Sequence, residues 1–139
     1  MVETILLVLT EGFNDLIFLT CQVILEENGN DVIIVSKMNG ACKGEDTSVI
    51  TVSLDDALKQ NEYYSAIVAV GGNNITNWDL LEKTVQSFHK EKRILGLVGS
   101  TIDFLGTDSA SISEFTNVIH MSETDDAEQF AEQLASMIK

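Results

Sequence analysis

The chain has 139 residues, 45% hydrophobic and 22% charged, with no proline, and its 8 Lys+Arg against 22 Asp+Glu leave a formal charge of −14. This is too apolar for a disordered acidic tail, and the excess of carboxylates opposes binding to nucleic acid or to an anionic membrane surface. Apolar runs such as Ile5–Leu9 fall far short of the ~20 residues of a membrane helix, and the Met-Val-Glu start has no basic signal-peptide region.

Thr4–Thr10 is a continuous apolar run, the signature of a strand buried on both faces of a parallel sheet. Gly12 marks a turn. From Phe13 to Asn28, Leu16, Ile17, Leu19, Val23 and Ile24 recur at helical spacing, and Asn28-Gly29 ends the helix with Gly29 in a left-handed cap. Asp31–Ser36 is a second buried strand. Lys37–Asp46 reads as a turn or exposed hairpin, followed by a short β segment at Ser48–Val52. Ser53 caps a short helix, Leu54–Lys59, with Asp55 and Asp56 favouring the dipole. Ser65–Val70 is a third buried strand and ends at Gly71-Gly72. Asn77 caps a helix from Trp78 to about Lys90, with Leu80, Leu81, Val85 and Phe88 on one side. Ile94–Val98 is a fourth strand, and Gly99-Ser100-Thr101 leads into a short helix holding Phe104 and Leu105. After a loop at Thr107–Ser113, Thr116–His120 is a fifth strand. Ser122, Thr124 or Asp125 starts the last helix, with Phe130, Leu134 and Ile138 at four-residue spacing.

Such alternation predicts an α/β domain over residues 1–139, a parallel sheet of about five strands with helices on both faces. Ligands then sit beyond the carboxyl ends of the strands. The turns to inspect are Glu11 to Asp15, Gly71 to Asn74, Gly99 to Ile102 and Met121 to Thr124. A dinucleotide fingerprint is absent, because the first turn reads Thr10-Glu11-Gly12-Phe13-Asn14-Asp15 with one glycine. There is no P-loop G-K-[ST]. No Ser/Thr/Gly-rich loop follows the first strand, as a flavodoxin requires, and no phosphoacceptor Asp ends the third.

One family fits these turns. The order "strand, E-G-F-x-D, helix ending N-G, strand ending in Ser, exposed hairpin, strand–G-G, helix, strand–tight turn–helix" resembles the DJ-1/PfpI group of the class I glutamine-amidotransferase-like fold. The matching segments are Ile5–Ser36, Tyr64–Gly72, Ile94–Leu105 and Val118–Met137. The resemblance implies a flavodoxin-like three-layer sandwich. It implies cysteine-centred chemistry or redox sensing, with the Cys on a strained strand-to-helix turn of the form A-I-C-x-G-P. A helix N-terminus lowers such a thiol's pKa and offers N–H groups to an oxyanion. A Glu from the turn after the first strand supports the Cys, and the double glycine lets backbone approach the substrate. It also implies a homodimer formed near the first helix, to which the apolar stretch Leu16–Leu25 is suited.

Against that pattern, Gly96-Leu97-Val98-Gly99-Ser100-Thr101 puts Val98 at the nucleophile position and Gly99 after it, and Asn14 stands for the supporting Glu. Val70 replaces the usual proline before the double glycine, and Leu105 to Val118 is shortened. The implied function is a non-catalytic, degenerate DJ-1/PfpI-like domain that binds a small ligand or self-assembles. Gly12, Asn14, Gly71, Gly72, Val98, Gly99 and Ser100 are its degenerate site, where backbone donors near Gly72 and Gly99 suit a small anion. Two alternatives stand beside it: a hydrolase or aldehyde-handling enzyme with a relocated nucleophile, and a protein-interaction module.

The relocated nucleophile is either Ser100, with His120 as base, or Cys42, with Lys43 beside it. In the plainer reading Ser100 caps a helix, Cys42 is an exposed thiol, and Cys21 is a buried small hydrophobe or a redox sensor. His89 reads as solvent-facing. Trp78 packs at a helix start or lines a pocket mouth. Cys21 and Cys42 form neither a disulfide framework nor a zinc pattern. Asp125-Asp126 and Glu45-Asp46 read as solvated acids. The sequence therefore predicts no metal, no cofactor, no nucleic-acid or membrane partner, and a cytoplasmic home.

Overall fold

The computed structural model describes residues 2–60, 63–71, 78–105, 115–122 and 125–138. Seven strands form one sheet: β1 (Thr4–Leu9), β2 (Asp31–Ser36), β3 (Gly40–Lys43), β4 (Ser48–Ser53), β5 (Ala66–Val70), β6 (Ile94–Val98) and β7 (Val118–Met121). Four helices accompany them: α1 (Asp15–Glu27), α2 (Leu54–Lys59), α3 (Asp79–Lys90) and α4 (Ala127–Ile138). The sheet order is β3-β4-β2-β1-β5-β6-β7, and every pairing is parallel except β3 with β4.

The two-residue period of the strands sorts the core into two halves. Ile5, Leu7, Leu9, Val68, Val70 and Val98 face α1 and α4. Leu6, Val8, Ile67, Ala69, Leu95 and Leu97 face α2, α3 and the turns at 99–105. All twelve are fully buried, so the runs read as unbroken apolar sequence. Gly96 brings α4 close: a Cβ there would stand 2.8 Å from the Leu134 side chain.

Six strands run parallel, where about five were predicted, and β3 is antiparallel. The extra strand is β4, whose parallel pairing with β2 spans only Val35–Val52 and Ser36–Ser53. Its burial alternates along its length, so it lacks the continuous apolar signature. Lys37–Asp46 contains the regular strand β3 as well as turns. Cys42 within it is only 2% exposed, which corrects the exposed-thiol reading. Gly29 has the predicted left-handed backbone (φ +87°), and the Ser53 hydroxyl accepts the Asp56 N–H at 3.0 Å. For α4, the Asp126 carboxylate accepts the Glu128 N–H at 2.9 Å and the Gln129 N–H at 3.4 Å. Asp125, a predicted cap, instead accepts the Ser122 N–H at 2.9 Å. The Asn77 cap, the Thr107–Ser113 loop, Thr124 and Gly72 lie outside the described residues.

After β1 the chain moves to one side of the sheet (β2, β4, β3), then returns to the other (β5, β6, β7). The order reverses between β1 and β5, so the crevice for a ligand opens beyond the carboxyl ends of the central strands.

Candidate functional site

Leu9, Val70, Val98 and Met121 lie in one cross-sheet row at those carboxyl ends. Their exposures are 0–2%, and all four belong to the α1/α4 half of the core together with Phe13. Val98 therefore plugs the interior beneath the turn. The residue holding the strained, left-handed backbone is Gly99 (φ +61°). This moves the elbow by one from the Val98 position that the sequence alignment implies, onto a residue with no side chain. Thr101 is fully buried, and its hydroxyl donates to the Val98 carbonyl at 2.8 Å and the Ala69 carbonyl at 3.3 Å. Those bonds tie the turn to β5.

Two members of the expected anion site are committed elsewhere. Asn14 is the N-cap of α1, its side-chain oxygen accepting the Ile17 N–H at 3.0 Å. The Gly12 N–H donates to the Lys43 carbonyl at 2.7 Å, so it is not an anion donor. Gly71 is buried, and Ser100 is half-buried in the turns at 99–105.

The Gly12 bond is one of several that fasten the β3–β4 hairpin over the first turn. The Glu45 N–H donates to the Phe13 carbonyl at 3.0 Å, and Phe13 and Gly44 form a parallel bridge. The Asp15 carboxylate accepts the Asp46 N–H at 2.7 Å and the Thr47 hydroxyl at 2.6 Å. Chiefly because of the Thr47 bond, the Asp15 pKa lies below the usual carboxylate value.

Between this hairpin and the sheet lies a cleft of about 290 Å³. Leu9, Thr10 and Glu11 enter it from the end of β1, Ser36, Lys37, Met38 and Asn39 from the end of β2, and Ala41 and Cys42 from β3. Trp78, 8% exposed, lines it from the start of α3. Trp78 thus fills both sequence roles, packing residue and cleft wall. The Lys37–Asp46 segment reads in sequence as a turn or exposed hairpin, which hides the wall that Lys37, Met38 and Asn39 form with Ser36 at the end of β2, although the strand-end rule applies to β2 as well.

The relocated-nucleophile candidates stand apart chemically. Burial, and then the nearby Glu11 charge, push the Cys42 thiol up to about 11, which overturns the expectation that Lys43 favours its thiolate. Burial alone pushes the Cys21 thiol up to about 12. His120 is exposed at the end of β7, with Nε2 3.0 Å from the Gly99 carbonyl. A carbonyl only accepts, so this bond puts the proton on Nε2. His89 is half-buried and packs edge-on against Phe115 with ring centroids 4.3 Å apart, which corrects its solvent-facing assignment. Among the described residues, no group of three His, Cys, Asp or Glu side chains is arranged to hold a metal ion. No helix among them is long and apolar enough to cross a membrane.

Comparison with solved structures gives the same architecture. A ThiJ/PfpI domain protein from Brachyspira murdochii superposes with a TM-score of 0.75 at 19% identity, covering 99% of this chain and 96% of that one. Drosophila melanogaster DJ-1beta gives 0.76 at 16% identity, with 99% and 91% covered. A two-domain protein from Anabaena variabilis, with DJ-1/ThiJ/PfpI-like and ferritin-like domains, gives 0.78 at 15% identity; 98% of this chain covers 48% of it. No functionally curated protein matches the chain in sequence. The DJ-1/PfpI family model, however, matches residues 3–135. With the parallel sheet, the E-G-F-x-D turn and the left-handed residue after β6 in place, the chain belongs to the DJ-1/PfpI family.

Proposed function

We propose that this chain is a non-catalytic member of the family, a single domain that binds a small molecule in the cleft between β1, β2 and the hairpin. One observation carries the reading. At the β6 turn, Val98 is in the core and the left-handed residue is a glycine, while an open cleft lies two and three strands away, at β1 and β2. With valine and glycine at Val98 and Gly99, the elbow itself offers no nucleophilic atom for a covalent step. An apolar-walled cleft with a few polar groups at strand ends is the usual form of a ligand site. The cytoplasm is the compartment we assign, since free thiols such as Cys21 and Cys42 persist there.

The test is turnover of methylglyoxal and of simple esters by the purified chain. We expect rates at the buffer background. A rate removed by Ser100→Ala or Cys42→Ser would establish the relocated-nucleophile enzyme instead.

Self-assembly through α1 is the second reading, and one observation favours it over a lone interaction module. Leu16, Leu19 and Val23 are 72%, 52% and 49% exposed on one face of α1, while Ile17, Phe18, Cys21 and Leu25 fill the core. Three large apolar side chains in one solvent-facing stripe mark a contact surface. Sedimentation is expected to give a dimer that Leu19→Lys dissociates. A monomeric wild type at high micromolar concentration would reject this reading.

A further inference from the structure

One wall of the cleft is a strand edge. The Gly44 N–H donates to the Thr47 carbonyl at 2.7 Å and closes the β3–β4 hairpin, so Gly44 and Thr47 are a hydrogen-bonded pair. Bonded and non-bonded pairs alternate along an antiparallel ladder. Lys43–Ser48 is therefore non-bonded, Cys42–Val49 bonded and Ala41–Ile50 non-bonded. The bonds of Lys43 agree. Its N–H donates to the Glu11 carboxylate at 3.3 Å and its carbonyl accepts the Gly12 N–H at 2.7 Å, so both groups point away from β4. Ala41 lies two residues earlier on the same strand and points its own N–H and C=O the same way. That is the side of the cleft, which Ala41 lines.

The first turn shows what this edge accepts. Glu11, Gly12 and Phe13 run beside β3 as a short added strand, bridged in parallel at Phe13–Gly44. Continued backward, that register sets Thr10 opposite Ala41. The Thr10 backbone is turned elsewhere: its N–H donates to the Val70 carbonyl at 3.3 Å and its carbonyl accepts the Phe13 N–H at 3.1 Å. The added strand stops short of Ala41, and the cleft begins there. Among the described residues, neither the N–H nor the C=O of Ala41 has a partner.

A guest that pairs with Ala41 must offer one donor and one acceptor at the spacing of an extended residue. The space, about 290 Å³, is the share of about ten liquid waters, room for one residue and its flanking amides. Only antiparallel pairing satisfies both Ala41 groups from a single residue. Leu9, Met38, Cys42 and Trp78 make the remaining lining mainly apolar, which favours an apolar side chain on the guest.

We propose that the cleft takes one extended peptide residue with an apolar side chain, added to the edge of β3 by two hydrogen bonds with Ala41. The assignment rests on the ligand-binding reading above and narrows it to one chemical class.

The test is amide NMR on the full chain. Before any ligand is added, the Ala41 amide should exchange with solvent at least about tenfold faster than the Cys42 amide. A slow Ala41 amide would overturn its outward orientation. The chain is then titrated with N-acetyl-L-leucinamide, with its N-methyl-leucine analogue, with acetyl-alanyl-leucyl-alaninamide, and with methyl 4-methylpentanoate, an apolar ester that has no N–H. The blocked residue and the tripeptide should shift the Ala41 amide saturably and slow its exchange. The N-methyl analogue leaves the Ala41 carbonyl unpaired and should bind about tenfold more weakly. Ala41→Pro removes the outward N–H and no bond of the β4 ladder, and edge strands tolerate proline. It should weaken N-acetyl-L-leucinamide by about tenfold with the Cys42 amide still protected. If it disturbs the hairpin, the N-methyl comparison decides alone. Equal binding of the N-methyl analogue or of the ester would overturn the pairing with Ala41 and leave the cleft a general apolar site. Binding of the blocked residue without the tripeptide would overturn the peptide source in favour of a small free amide. No saturable response to any of the four compounds would overturn the cleft as a ligand site as well.

Discussion

Two strand ends of the same sheet have opposite fates. At β6 the residue before the turn, Val98, joins the core with Phe13, and the strained position behind it is a glycine. At β1 and β2 the strand ends diverge from the hairpin and leave a cleft walled by Leu9, Trp78 and Cys42. Both ends carry a buried apolar residue of the same cross-sheet row, Leu9 and Val98, so the difference lies in what covers them. A hairpin laid across the next pair of strands makes a wall without filling the space beneath it. Sites in this fold class can thus move along the carboxyl edge of the sheet without any change of topology.

Phe13 takes part in both ends, so removing it should break the contrast most severely. It is fully buried, meets Phe18 edge-on with centroids 5.5 Å apart, and its carbonyl accepts the Glu45 N–H. Phe13→Ala should cost about 3–5 kcal/mol in urea unfolding. It should also open the Val98 side, read as loss of hydrogen-exchange protection around Val98. A loss below about 1 kcal/mol would mean that the plug lies elsewhere.

Gly44→Ala comes next and acts first on the cleft's wall. The new Cβ would meet Asp15 Oδ1 and lie 2.7 Å from the Phe13 ring. Displacing a buried ring and a hydrogen-bonded carboxylate together should cost about 1–3 kcal/mol by overpacking. The hairpin should lift while the β6 turn stays protected. Equal disturbance of both ends would show that the hairpin and the turn are one cooperative unit.

A pair of cysteine substitutions then compares the two residues of the turn itself. Val98→Cys puts a thiol in the core, where burial should keep it, like the buried Cys21 and Cys42, silent toward an aqueous disulfide reagent. Gly99→Cys puts one on the left-handed residue. Its reaction should be faster than that of Val98→Cys by about tenfold or more, and the strain should cost about 1–2 kcal/mol. The reverse order of reactivity would restore Val98 as the outward position.

Much of this contrast was legible in sequence, for a physical reason. Continuous apolar runs and helical periods report burial, and burial dominates β1, β5, β6, α3 and α4, so those elements were readable within a few residues. Membership of the family was readable too, because the turns E-G-F-x-D and G-G depend on local backbone. The cleft was not. Cys42 is buried because β3 folds over the end of β1, and Ser36–Asn39 become a wall only once that hairpin lies beside them. The one-residue shift from Val98 to Gly99 is a matter of side-chain direction at a turn, which periodicity does not report. In sequence Asp15 is only the last residue of the E-G-F-x-D turn. Its partners lie more than thirty residues away, so their contact is tertiary.

That same Asp15 supplies the gentlest test, one of pH rather than of volume. Its carboxylate binds the Asp46 N–H and the Thr47 hydroxyl, bonds that only the charged form accepts fully. Because these bonds lower its pKa in the folded chain, its contribution is present in full above the usual carboxylate range. It is lost as pH falls through the lowered, folded value. Exposure of the carboxylate and screening by salt keep the effect local. Acidification should therefore speed amide exchange at Asp46 and Gly44 before it touches Val98, after correction for the intrinsic pH dependence of exchange. Asp15→Asn should bring that loosening to neutral pH and remove its pH dependence, with the β6 turn unchanged. If acid loosened the hairpin equally in Asp15→Asn, the latch would be another acid of this carboxylate-rich surface. The hairpin's hold on the cleft would then rest on that acid together with the backbone bonds of Gly12 and Glu45.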